Sequence, residues 1–131
     1  MGDRANFGFK DHNGNVVFLY GHWAGYEMLA KLAQSVEIAE SRWNDETYAT
    51  RITISNLIGD EWTQSTGWGI TVNEIADNEH KIPIVDWLAG TFSLHEEASW
   101  DMPTKIRGVV DEPLFTMDLQ AFVDKYSKVL S

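Results

Sequence analysis

The stretch LYGHWAGYE, Leu19 to Glu27, sets a tyrosine, a histidine and a tryptophan beside two glycines. Polar-tipped aromatic rings next to flexible backbone can line a ligand pocket, and the same residues can lock a strand-to-helix turn. Tyr20, His22 and Trp23 are therefore candidate binding residues at such a corner. Further along, Asp77-Asn78-Glu79-His80 gathers oxygen donors and an imidazole in consecutive positions. Folded back on itself this run could hold a divalent cation, yet it lacks the glycine-centred spacing of a calcium loop and reads first as a polar turn.

Other catalytic patterns are sparse. His12, His22, His80 and His95 have no partner at the three- or four-residue spacing of a two-histidine zinc site, and His95-Glu96-Glu97 lacks the second histidine of a metalloprotease motif. With no cysteine, disulfides, thiolate catalysis and cysteine-ligated zinc are excluded. No serine sits in a nucleophile elbow, and Gly67-Trp68-Gly69 is too short to be a phosphate-binding loop. No cofactor or metal is expected. Catalysis would require a histidine, His22 or His80, to meet a carboxylate such as Asp77 or Glu79, as in a small hydrolase or a metal-dependent enzyme.

Trp23, Trp43, Trp62, Trp68, Trp87 and Trp100 are many for 131 residues, and they fall at the ends of periodic runs. Indoles placed there can anchor a core or line a recognition surface with their N–H groups satisfied. As a set they favour recognition, either of a flat aromatic or nucleotide-like ligand by stacking or of a protein partner.

The elements that must position these residues follow from period. Asn6–Lys10 and Val16–Tyr20 read as strands joined by a tight turn at Asn13-Gly14. From Gly25 to Glu40, Met28, Leu29, Leu32, Val36 and Ala39 mark one apolar helical face. Asn44–Gly59 fits either state and is read as a helix capped by Asp45, with Tyr48, Ile52, Ser55 and Ile58 on one stripe. Three strands follow at Trp68–Val72, Lys81–Asp86 and Gly90–His95. Met102–Pro113 reads as an irregular connection with a short strand at Ile106–Val110. Thr116 then caps a final helix with Leu119, Phe122, Val123, Tyr126 and Leu130 on one face. The order ββααβββα implies an α+β fold: an antiparallel sheet of about five strands, helices packed on one face, the other face wet and open for pairing or binding.

Composition is that of one folded domain over residues 1–131, 44% hydrophobic and 23% charged. Twenty acids against ten bases give a net charge of −10, which disfavours nucleic acid and anionic membranes as partners. The acids are dispersed, as on a solvated surface, rather than arrayed as in a DNA mimic. The first residues lack the apolar core of a signal peptide, and no stretch approaches the ~18 apolar residues of a bilayer span, so a cytoplasmic protein is expected.

The start MGDRAN, His22-Trp23-Ala24-Gly25, Arg42-Trp43-Asn44-Asp45 with Tyr48 and Arg51-Ile52, Thr66-Gly67-Trp68-Gly69-Ile70 and Asp77-Asn78-Glu79 together resemble a family of small uncharacterised proteins of actinobacteria and their bacteriophages. The resemblance covers about the first ninety residues and brings no assigned activity. It suggests a phage accessory factor in the host cytoplasm that binds a small molecule or a host protein. If these segments form one site, Tyr20, His22, Trp23, Arg42, Arg51, Trp68, Asp77, Asn78 and Glu79 converge near an end of the sheet, with Arg51 facing a phosphate or pairing with Asp77 or Glu79. The expected protein is a non-enzymatic binder with an aromatic-lined polar pocket. The alternative is an interaction factor docking through its tryptophan-rich surface, with a homodimer among its forms.

Overall fold

A computed structural model describes residues 2–128. The elements are β1 (Ala5–Lys10), β2 (Val16–Gly21), α1 (Met28–Ile38), α2 (Glu46–Ile58), β3 (Trp68–Val72), β4 (Ile82–Asp86), β5 (Thr91–His95), β6 (Phe115–Asp118) and α3 (Leu119–Tyr126). The fold is α+β, built on one sheet of six strands in the order β3-β2-β1-β4-β5-β6.

The sheet is mixed rather than antiparallel throughout. β1 pairs with β4 in parallel, from Gly8 beside Ile84 to Lys10 beside Asp86, while every other neighbouring pair is antiparallel. The reason lies in the link between β3 and β4. β3 and β4 run in the same direction, so the chain from Asn73 to Lys81 must return along the length of the sheet before β4 can start. It does so on the face away from the helices, where Ile75 is buried against β2 and β4. Asp77, Asn78 and Glu79 are thereby delivered to the end of the sheet where β1 begins and β2 ends, called here its foot.

At the other end the β1–β2 turn forms as its sequence demands. The Asp11 carboxylate accepts from the Asn13 and Asn15 backbone N–H groups at 2.8 and 2.9 Å, and Gly14 takes a positive φ of 85°.

All three helices cover one face. Phe7, Phe9, Leu19, Val85, Phe92 and Leu94 from the sheet meet Leu32, Val36, Ile54, Ile58 and Phe122 from the helices in the main core. Each large side chain so buried contributes roughly 1.5–3 kcal/mol. α2 is a helix, as read, with the Asp45 side chain capping Tyr48 N–H at 3.4 Å. Its buried face is Ala49, Thr53, Ile54 and Ile58, so the expected stripe through Tyr48 is rotated and Tyr48 is exposed. Two indoles fasten the helices: Trp43 donates to the Val36 carbonyl of α1 at 2.9 Å, and Trp87, just after β4, ties the sheet to α2 by donating to Thr50 Oγ1 at 2.8 Å.

The second face is not wet. Val16, Phe18, Ile82 and Ile84 are buried there under Ile75 and Val109, with Ile106 packed alongside. The cover is the returning link together with the segment 96–113. That segment holds isolated bridges, Glu97 with Val109 and Glu74 with Arg107, in place of the expected strand at Ile106–Val110. The sixth strand comes later, over Phe115–Asp118. Thr116 therefore lies in β6, and Asp118 caps α3 instead, accepting from Gln120 N–H at 3.1 Å. Leu119, Phe122 and Val123 are buried as expected, while Leu130 lies outside the described residues. Among the described residues no helix is long and apolar enough to cross a membrane.

Candidate functional site

The foot of the sheet is where polar side chains converge. Tyr20 near the end of β2 and His22 just after it bring hydroxyl and Nδ1 to 2.6 Å, and His22 meets the Trp23 ring edge-on with centroids 4.6 Å apart. The backbone closes around them: His22 N–H donates to the Gly67 carbonyl, and Asp3 N–H to the His22 carbonyl, both at 2.8 Å. The corner read from LYGHWAGYE is thus fastened on one side to the chain before β1 and on the other to the start of β3.

The segment before β1 also fastens the returning link. Glu79 Oε1 accepts from the Arg4 backbone N–H at 2.8 Å and from Arg4 Nε at 3.3 Å, and Glu79 N–H donates to the Arg4 carbonyl at 2.9 Å. The Arg4 guanidinium also lies 3.5 Å from the Asp77 carboxylate. The backbone bond from Arg4 is the main reason that the Glu79 carboxyl is held below its ordinary range, with the guanidinium bond next. Tyr20 stands close to these charges, and burial first, then the Asp77 carboxylate, push its phenol up. Asn6 is wholly buried beneath: it accepts from Ala76 N–H at 3.1 Å and donates to the Asp77 carbonyl at 3.0 Å and to Asn78 Oδ1 at 3.1 Å. Asn78 in turn donates to Glu97 at 3.0 Å and to the His80 carbonyl.

His80 finds a carboxylate, though not an expected one: its Nε2 lies 2.5 Å from Asp3 Oδ1. The pair packs onto Gly25, and His80 borders a cleft of about 610 Å³ with Met28, Leu29 and Leu94 as its apolar wall and Glu79, Lys81, Glu96 and Glu97 around it. Among the described residues no three His, Asp or Glu side chains come together as a set of metal ligands.

On the helix side of the foot lies a smaller crevice of about 240 Å³ lined by Phe7, Trp23, Ala24, Lys31, Leu57, Glu61 and Trp68. The Trp68 indole is held by Glu61 Oε1 at 2.8 Å, and Trp23 is 61% exposed. This is an aromatic recess with one cation and one anion in its lining, sized for a single planar ring system.

Of the residues singled out in sequence, Tyr20, His22, Trp23, Trp68, Asp77, Asn78 and Glu79 gather at the foot. Arg42 and Arg51 do not. α1 carries the chain to the opposite end, where Glu46 at the start of α2 bonds His12 of the β1–β2 turn at 2.8 Å. Arg42 lies there with its guanidinium 4.8 Å from the centre of the Tyr48 ring, and Arg51 is exposed on α2. The cation that faces Asp77 and Glu79 is Arg4. Asp3, Arg4 and Asn6 escaped the sequence reading. The available signal was Asn6, a lone amide inside the apolar run of β1, whose burial demands polar partners.

No protein-family model matches the chain, and no curated protein or solved structure matches it either.

Proposed function

We propose that this protein binds, without transforming it, a small planar aromatic molecule, a nucleoside-like compound being the type, seated between Trp23 and Trp68. One observation carries the reading: an exposed indole and a half-buried indole line one crevice together with Lys31 and Glu61. Stacking supplies affinity that tolerates different rings, and the two charged groups supply orientation. Tyr20, His22 and the Arg4–Glu79 pair then act as the frame that holds the corner carrying Trp23. With the resemblance to proteins of actinobacteria and their bacteriophages, the proposal extends to an accessory factor that sequesters such a molecule in a host.

The test is native mass spectrometry of the protein purified gently from a bacterial host, compared with the denatured mass, followed by tryptophan fluorescence titration with adenosine and guanosine. A retained small mass, or saturable quenching, that is lost in Trp23→Ala supports the crevice. A bare chain that neither nucleoside quenches overturns it.

A second reading rests on a separate observation. Alternation of the β2–β3 bonds, fixed by His22 N–H to the Gly67 carbonyl and Asn73 N–H to the Val16 carbonyl, turns the peptide groups of Trp68, Ile70 and Val72 toward the open edge of β3. Ile70 and Val72 are 60% and 57% exposed, and this edge carries no charge. An uncharged edge strand is a template for pairing with another strand, which favours a protein partner, a second copy included. Sedimentation of the wild type against Ile70→Lys checks it: a larger species that the lysine dissolves supports strand pairing.

A further inference from the structure

On the opposite face of the sheet from the aromatic crevice, and independent of it, we infer a serine-nucleophile site formed by Ser93, His95 and the Val110 carbonyl, suited to a small carboxylic ester. Ser93 and His95 are two residues apart on β5, so the strand period places both on the same face. Ser93 Oγ lies 3.0 Å from His95 Nε2, and His95 Nδ1 lies 2.8 Å from the Val110 carbonyl oxygen. A carbonyl can only accept, so Nδ1 carries the proton in this bond. Nε2 of the neutral ring is then a lone pair, and Ser93 donates its hydroxyl hydrogen to it. A nucleophile on a base, and the base fixed in one tautomer by a third group, is the arrangement that activates a hydroxyl.

The surroundings suit the chemistry. His95 is 8% exposed, shielded from water, whereas Ser93 is half-buried and opens into a cavity of about 280 Å³ between the sheet and the segment 96–113. That volume falls at the small end of ligand cavities, which limits the acyl group to a short one. Val16, Ile84, Ile106 and Val109 form an apolar wall, and Lys10 and Lys105 line the same space. Thr116 stands directly across from Ser93 in the β5–β6 register, so its hydroxyl and the two ammonium groups are the available donors to a developing oxyanion. Asp86, 3.9 Å from Lys10, and Asp111 line the cavity as well, so the two ammonium groups stand beside two carboxylates.

In the reaction, Ser93 Oγ forms a bond to the ester carbonyl carbon while its proton passes to His95 Nε2 and the carbonyl electron pair moves onto oxygen. Collapse breaks the bond to the alcohol, which leaves with the proton from the imidazolium. A water molecule deprotonated by His95 then attacks the acyl-Ser93 carbonyl, releases the carboxylic acid and restores the serine hydroxyl.

Two probes test the site: an alkyl fluorophosphonate, with the labelled residue located by peptide mass spectrometry, and p-nitrophenyl acetate, followed for a burst of nitrophenolate. The expected result is phosphonylation at Ser93 and a burst near one per chain. Both should vanish in Ser93→Ala, whose circular dichroism stays that of the wild type. His95→Gln, which retains a donor toward Val110, should slow labelling at least about a hundredfold, the lower range of general-base contributions. Folded wild-type protein that neither labels at Ser93 nor gives a burst overturns the inference. So does a burst that survives Ser93→Ala.

Discussion

The Asp3 carboxylate and the His80 imidazole, 77 positions apart in sequence, stand 2.5 Å from each other at the foot of the sheet. The pair holds the start of β1 to the start of β4, and it can do so only because residue 25 has no side chain. A Cβ at Gly25 would lie 2.0 Å from His80 Nε2 and 2.4 Å from Asp3 Oδ1. That backbone approach, Gly25 N–H bonded to the Asp3 carbonyl at 2.9 Å, ties the corner after β2 into the same joint.

Gly25→Ala should therefore separate Asp3 from His80 and cost about 1–3 kcal/mol, the usual range for overpacking. Urea unfolding measures the loss, and the His80 ring signals in NMR should shift with it. Unchanged stability together with unchanged His80 signals would show that the joint has room to spare.

The neighbouring Arg4–Glu79 contact gives a pH dependence of defined sign. The folded carboxyl of Glu79 titrates below its unfolded value, chiefly because the Arg4 backbone N–H and then the guanidinium bind the charged form. The contribution to stability is thus fully present above the ordinary glutamate pKa and is lost as pH falls through the depressed one. Comparing wild type with Glu79→Gln by urea midpoint, the gap between them should be widest near neutral pH and narrow on acidification. A gap that grows toward low pH would reverse the sign and remove the assigned role. Because the pair is solvent-exposed, salt should narrow the gap as well.

Local period made much of this fold legible. Asn13-Gly14 located the first hairpin, the Met28–Val36 spacing located α1, and Asp45 with Gly59 bounded α2. What local patterns could not reveal is order within the sheet. Ile75 belongs to no strand, yet its burial marks the path by which the chain crosses under the sheet and makes β4 parallel to β1. A single apolar residue in a polar stretch carries no period, so neither that path nor the covered second face was readable. The site was legible to the extent that it is built from aromatic corners. Tyr20, His22 and Trp23 stand out by type, and Asp77 to Glu79 by density of donors. Their cation was misassigned because Arg51 lay on an expected helix that could aim it at the site, whereas Arg4 precedes the first element, where no period says which way it faces. Ser93 and His95 were passed over because a serine and a histidine two residues apart match no loop or helix motif, although on a strand that spacing is the one that lets them meet.

Asn6 provides the sharpest test of how the returning link is held. It is wholly buried, and its amide exchanges bonds with Ala76 N–H, the Asp77 carbonyl and Asn78 Oδ1. Asn6→Ala leaves these partners facing a small void, and each polar group stranded without water costs about 1–3 kcal/mol. We expect a loss of about 2–4 kcal/mol, in the range that only buried networks and cavities reach. Hydrogen exchange should localise it: the amides of Ala76 and Glu79 should lose protection, while that of Phe18, deep in β2, should change only through the global stability. Arg4→Ala, which removes an exposed charge from the same joint, should have the smaller effect on stability. If Asn6→Ala leaves exchange at Ala76 and Glu79 as it was, the link is held by Ile75 and its apolar contacts rather than by the amide. In that case Ile75→Ala, and not Asn6→Ala, should release Asp77, Asn78 and Glu79 from the foot of the sheet.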